Sequence, residues 1–172
     1  MIAALVCGCA RVAPERLDRA ESATEEPQVE RSVQTQDVSA TQKDEKGEVV
    51  WQVSAKSAQL DYRGQGRTMG EMDGVSGTIH DGGKPVSAFE AEHGDANQSA
   101  QVLGLRGKVK VRSLVRGEVL SADRVVWRAG KRLIEAEGNV SVEGDGYRLG
   151  PFPRIVAAPD LGTIGTPDRF GA

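Results

Sequence analysis

Val49-Val50-Trp51-Gln52-Val53-Ser54-Ala55-Lys56-Ser57-Ala58-Gln59-Leu60-Asp61-Tyr62 alternates apolar and polar side chains, with one slip at Lys56-Ser57. A period of two belongs to a β-strand with one buried face. The slip is what a β-bulge produces, because one extra residue transfers the following side chains to the opposite face. The pattern Val53-x-Ala55-x-x-Ala58-x-Leu60 returns as Phe89-x-Ala91-x-x-Gly94-x-Ala96 and as Leu120-x-Ala122-x-x-Val125-x-Trp127.

A second element follows each of these. Val75-Ser-Gly77-Thr-Ile79, Leu105-Arg-Gly107-Lys-Val109-Lys-Val111 and Ala136-Glu-Gly138-Asn-Val140-Ser-Val142 share apolar-x-Gly-x-apolar, with glycines 30 and 31 residues apart. A repeat near this length, built from two strands, signals stacked β-modules. Turn residues fall between the strands at Gly64-Gln-Gly66, Asp81-Gly-Gly83, Arg116-Gly117, Ala129-Gly130-Lys131 and Gly144-Asp-Gly146. No helical periodicity is left over, so the fold class is all-β and antiparallel, a curled sheet with a single apolar interior.

The rest of the chain is organised around this region. Of 21 glycines, 20 lie from Gly47 onward, as do all seven aromatic residues. The net charge of −3 resides wholly before Gly47, since residues 47–172 hold 16 basic and 16 acidic side chains. A charge-balanced domain is a poor binder of nucleic acid, whose affinity comes largely from phosphate neutralisation. No stretch has the roughly 20 apolar residues of a spanning helix.

Four segments are expected: 1–9, a signal-peptide remnant; 10–46, a disordered acidic tether; 47–158, the β-domain; and 159–172, an irregular tail. Both cysteines of the chain fall in Met1-Ile-Ala-Ala-Leu5-Val-Cys7-Gly-Cys9, so the β-domain has no disulfide. Leu5-Val-Cys-Gly-Cys9 resembles a bacterial lipobox, and Cys9 is the expected lipidation site. Small residues before the cysteine admit the peptidase, and two or more acyl chains make a stable anchor. Only eight residues precede Cys9 and none is basic, so a start upstream is expected. The tether lacks glycine and aromatic residues and buries too little to order itself. As a flexible coil it reaches on the order of 35 Å. Arg154-Ile-Val-Ala-Ala158 is expected to be a last strand, exposed for pairing with a partner.

The order and spacing of Trp51-Gln-Val-Ser-Ala55, Phe89-Glu-Ala91, Leu105-Arg-Gly-Lys-Val-Lys-Val111, Leu120-Ser-Ala-Asp-Arg-Val-Val-Trp127 and Ala136-Glu-Gly-Asn-Val-Ser-Val142 resemble the LptC, LptA and OstA-like family of lipopolysaccharide-export proteins. The resemblance covers about Val49 to Val142 and extends toward Ala158. It implies a twisted, open β-jellyroll whose interior holds the acyl chains of lipopolysaccharide and whose edge strands pair end to end with similar envelope proteins. LptC itself is usually held by an N-terminal membrane helix, whereas this chain offers a lipid anchor.

The inward-facing candidates for a lipid groove are Val53, Ala55, Leu60, Phe89, Leu105, Val109, Val111, Leu120, Val125, Trp127, Ile134, Ala136, Val140 and Val142. In a closed sandwich the same residues are simply core. Arg106, Lys108, Lys110 and Arg112 form a basic row on one outer face, suited either to anionic head groups or to solvation alone. His80 and His93 lie in turn-like surroundings beside Asp81 and Glu92, with no third ligand in sequence, so surface positions are expected and no metal. The serines lack a nucleophile-elbow context, and no glycine-rich turn opens onto a helix. Neither an enzyme nor a cofactor is expected. The expected function is that of a membrane-tethered periplasmic lipoprotein passing lipopolysaccharide or a related glycolipid across the envelope. The alternative is a structural adaptor lipoprotein that assembles through its edge strands without carrying lipid.

Overall fold

In the computed structural model, which describes residues 31–63 and 66–170, nine antiparallel strands form one sheet ordered as in the sequence. They are β1 (Arg31–Lys43), β2 (Val49–Arg63), β3 (Gly66–Asp81), β4 (Lys84–Asn97), β5 (Val102–Ser113), β6 (Val119–Arg128), β7 (Leu133–Gly144), β8 (Tyr147–Ala157) and β9 (Ile164–Gly165). A 3-10 turn (Ala129–Lys131) joins β6 to β7, and a one-turn helix α1 (Pro167–Phe170) follows β9. This is the all-β, open antiparallel architecture expected of the β-jellyroll.

Short turns make neighbours in sequence neighbours in space. Between β1 and β2, the Asp44 carboxylate accepts hydrogen bonds from the backbone N–H groups of Lys46 and Glu48, both at 2.9 Å. Gly47 supplies the left-handed conformation that the turn needs, with φ +82°.

The slip read at Lys56-Ser57 belongs to a crease that crosses the sheet. The β1–β2 and β2–β3 ladders skip Asp37, Lys56 and Gly74, and from β4 onward the register shifts at Glu90/His93, Arg106/Val109, Ser121/Arg124 and Glu137/Val140. Strands β2, β4 and β6 change face through the two-residue slip. Their neighbours absorb the same irregularity in left-handed residues: Asp37, Gly74, Gly107 with Lys108, and Gly138 with Asn139. A Cβ on Gly74, Gly107 or Gly138 would meet the side chain of Lys56, Glu92 or Asp123 from the adjacent strand within 3 Å. Bulges aligned in this way bend every strand at one level and fold the sheet over its apolar face.

One equivalence therefore changes. Gly74, not Gly77, is the counterpart of Gly107 and Gly138. Gly77 has no left-handed φ; a Cβ there would collide with the Gln52 carbonyl oxygen and the Phe89 ring.

Folding at the crease brings opposite strand ends together. Asp81 closes β3 at the end shared with the β1–β2 turn, whereas Arg132 precedes β7 at the far end, yet Arg132 Nη2 donates to Asp81 Oδ2 at 2.6 Å. Ser87, near the start of β4, donates through Oγ to the carbonyl of Pro159, just beyond β8, at 2.5 Å. Both links join strands four apart in the sheet order, as rolling the sheet on itself requires.

Two segment boundaries are corrected. The tether does not run to residue 46, because Arg31–Lys43 pairs along β2 from Arg31↔Tyr62 to Lys43↔Val49. An edge strand draws its order from backbone hydrogen bonds and needs few apolar side chains; here half-buried Val38 and Ala40 pack on the core. The tail after Ala158 is not an irregular appendage. Ala158 donates its N–H to the Thr163 carbonyl at 2.9 Å, β9 returns along Val156 and Ala157, and Leu161 is buried in the core. The last strand is also longer and less free than expected, since β9 covers its end. The signal remnant, the Cys9 lipidation site and residues 10–30 lie outside the described residues.

Candidate functional site: the apolar interior

Of the fourteen groove candidates, the thirteen whose side chains are described are all buried in one continuous cluster. Leu60 pairs with Met69 in the β2–β3 register, but its side chain is outside the described set. Leu105, Val111, Leu120, Val125, Ile134, Ala136, Val140 and Val142 expose no surface at all. Cross-strand pairs explain how they meet: Phe89 faces Val111, Val111 faces Leu120, and Leu120 faces Val142. Directly opposed residues project on the same side of a sheet, so each register step extends one apolar surface. Full burial of each such side chain contributes about 1.5–3 kcal/mol.

The structure adds interior residues absent from the candidates. Trp51, Met72, Val75, Ile79 and Leu103 are buried with them, as are Ile155 and Leu161 toward the C-terminus. Trp51, Ile79 and Leu103 lie on the same alternation as the chosen residues and were legible by it. Leu161 sits in a turn, where no periodicity marks it.

The interior offers almost no polar partner. The indole N–H groups of Trp51 and Trp127 are buried without an acceptor among the described residues. Such an orphan ordinarily costs about 1–3 kcal/mol, here offset by the large apolar area of the ring.

The apolar surface also reaches an edge. Val142 faces Leu149 and Val140 faces Phe152 across the β7–β8 ladder, yet Leu149 and Phe152 are 48% and 38% exposed. On its other side, among the described residues, β8 is paired only at Val156 and Ala157. The span Tyr147–Arg154 therefore leaves apolar side chains beside an open edge, whose donors are reduced because Pro151 and Pro153 have no N–H.

The outer face carries charge, but in balance. Lys108 pairs with Glu92 at 2.6 Å, Lys110 with Glu90 at 3.5 Å and Arg106 with Glu71 at 3.4 Å. Three of the four residues of the basic row are thus answered by acidic ones, and the Lys108 hydrogen bond and charge lower the Glu92 carboxyl pKa. Between β6, β7 and β8, Glu135 accepts from Arg128 at 2.8 Å and from Arg154 at 3.2 Å. Burial would raise the Glu135 pKa, but the two guanidiniums outweigh it and hold the group below its ordinary value.

The histidines divide. His93 is exposed, its Nδ1 lying 2.8 Å from Asp73 Oδ1. His80 is buried, contrary to the surface position expected, because it closes the β3–β4 turn with Nε2 2.9 Å from Thr78 Oγ1 and Nδ1 3.3 Å from the Gly83 carbonyl. Ser57 Oγ also reaches Asp73, at 3.1 Å. Serine and histidine thus meet at the carboxylate instead of at each other, which leaves the serine without an adjacent base. Among the described residues no three His, Cys, Asp or Glu side chains gather as a metal site. No helix of the described residues is long and apolar enough to cross a membrane.

A family model described as lipopolysaccharide-assembly, LptC-related, matches residues 1–149. No curated protein matches the chain significantly. The family serves lipopolysaccharide transport in the periplasmic envelope, a bridging task and not a catalytic one. With a rolled antiparallel sheet around an apolar interior and a family match over most of its length, the chain belongs to the LptC-related lipopolysaccharide-assembly family.

Proposed function

We propose that this protein carries the acyl chains of lipopolysaccharide, or a related glycolipid, through the interior of its β-jellyroll while a lipidated Cys9 holds it to the membrane. The observation that carries the proposal is the continuity of the apolar surface from Trp51 in β2 to Phe152 in β8. A domain that needed only stability would end such a surface under cover. Here it emerges at an edge that, among the described residues, is unpaired before Val156. Transfer then requires no covalent step, only an apolar path and a neighbouring sheet to continue it. Strand addition beside β8 supplies that neighbour, with Leu149 and Phe152 giving an apolar seam and the backbone adding fewer hydrogen bonds than a full ladder, since Pro151 and Pro153 have no N–H.

Equilibrium binding of intact lipopolysaccharide, set against its deacylated polysaccharide, tests the proposal. Binding of the intact molecule alone supports it, and equal binding of both refutes it. Cys9→Ala should release the protein from the membrane fraction.

A second reading is an adaptor that assembles through its edges and carries no lipid. The complete burial of Leu105, Val111, Leu120 and Val140 favours it, because an interior already filled offers no room without movement. Absence of lipopolysaccharide binding together with intact edge assembly would select this reading.

A further inference from the structure

The cleft that opens beside Trp127 contains parts that are remote in the sheet. Its lining combines Glu48 from the β1–β2 turn and Val50 from the start of β2, His80 and Asp81 from the end of β3, and Trp127 and Arg132 from around the 3-10 turn. The cleft measures about 290 Å³. It is a place where the two ends of the rolled sheet meet without backbone pairing, because β3 and β7 are not neighbours in the strand order.

Across this meeting runs the Asp81–Arg132 ion pair at 2.6 Å, with the Arg132 side chain 69% and the Asp81 side chain 28% exposed. Arg132 is held for the contact by a left-handed backbone, φ 53° and ψ 44°, and by its N–H bonded to the Ala129 carbonyl. The second link between opposite ends, Ser87 to Pro159, is buried, as is nearby Leu161. One closure is therefore solvent-accessible and electrostatic, and the other is packed. If the sheet parts, the exposed one yields first.

We propose that the cleft between the β3–β4 turn and the 3-10 turn is the mouth through which an acyl chain reaches the interior, and that the Asp81–Arg132 pair is its latch. Trp127, 1% exposed at the cleft lining, is the first large apolar side chain that an incoming chain meets. A latch built from an exposed pair is weak enough to open thermally, since such pairs contribute little in water. It also fixes the two strand ends in register when the mouth is closed. The inference rests on the proposal that the interior receives acyl chains.

Stopped-flow mixing of the protein with cis-parinaric acid, a fatty acid that fluoresces in apolar surroundings, measures the rate of uptake. Asp81→Asn and Arg132→Gln should each speed uptake about three- to fivefold without changing the final amplitude, the size being set by an exposed ion pair. The exchanged double variant, Asp81→Arg with Arg132→Asp, should return the rate toward that of the wild type. Uptake at an unchanged rate in all variants would overturn the latch while leaving the lipid-carrying interior intact. Faster uptake that the exchange does not reverse would also overturn it. No fluorescence gain in any variant, the wild type included, would overturn both.

Discussion

Replacing Gly138 with alanine tests whether the crease holds the fold in shape. Gly138 has φ +76°, a conformation that costs an L-residue about 1–2 kcal/mol. Its new Cβ would lie 2.5 Å from Asp123 Oδ2 and 2.9 Å from Asp123 Cβ. The carboxylate can swing away, but the Cβ is fixed to the backbone of β6. Moving it also strains the hydrogen bond that Asn139 Nδ2 donates to Asp123 at 2.8 Å, worth about 0.5–1.5 kcal/mol. The sum is a loss of about 2–3 kcal/mol. Gly117→Ala is the control, because Gly117 has φ +83° and nothing within 4 Å of a built Cβ; it should lose only the conformational part, about 1 kcal/mol. Urea titration followed by fluorescence of buried Trp51 and Trp127 reads both variants. A cost for Gly138→Ala no greater than for Gly117→Ala would refute the crowded crease.

Three further outcomes follow from the same geometry. Glu135→Gln should cost about 1–2 kcal/mol near neutral pH by leaving Arg128 and Arg154 without their shared carboxylate. Because the folded pKa of Glu135 is lowered from 4.5, its contribution is present above that value and is lost as pH falls through the folded pKa, so the variant's acid unfolding profile should be flatter. Trp127→Phe should cost less than about 1.5 kcal/mol, since it removes an unpaired indole N–H along with some volume, whereas Trp127→Ala should cost about 3–5 kcal/mol in the same titration. Leu149→Asp with Phe152→Asp should cost about 1–2 kcal/mol for each half-covered site and abolish edge assembly with a β-jellyroll partner, measured by analytical ultracentrifugation.

How much of this was written plainly in the chain depends on the kind of signal. Strands β2 through β7 repeat one pattern, and each buries one face, so period and slip together revealed the sheet and its interior. The crease was visible as a slip recurring in β2, β4 and β6; its passage through the strands between them depends on register, which joins Gly107 to Glu92 and Gly138 to Asp123. Gly77 imitated the motif in β3 while Gly74 performed it, since apolar-x-Gly-x-apolar does not encode φ. Strand β1 escaped because an edge strand bonded through its backbone leaves a polar sequence. Leu161 and β9 escaped because their order comes from contacts with β8 and the core. The outer charges show the converse: Lys108 and Lys110 formed an evident basic row, but their neutralisation required Glu90 and Glu92 to be placed opposite.

The central claim is that lipid travels inside the roll and not along its charged exterior. A photoreactive amino acid introduced at Val109, Trp127 or Val140 in the interior, and at Lys108 on the outer face, tests it in cells making lipopolysaccharide. Lipopolysaccharide adducts are expected from the three interior positions and none from Lys108. Adducts from Lys108 alone would contradict it.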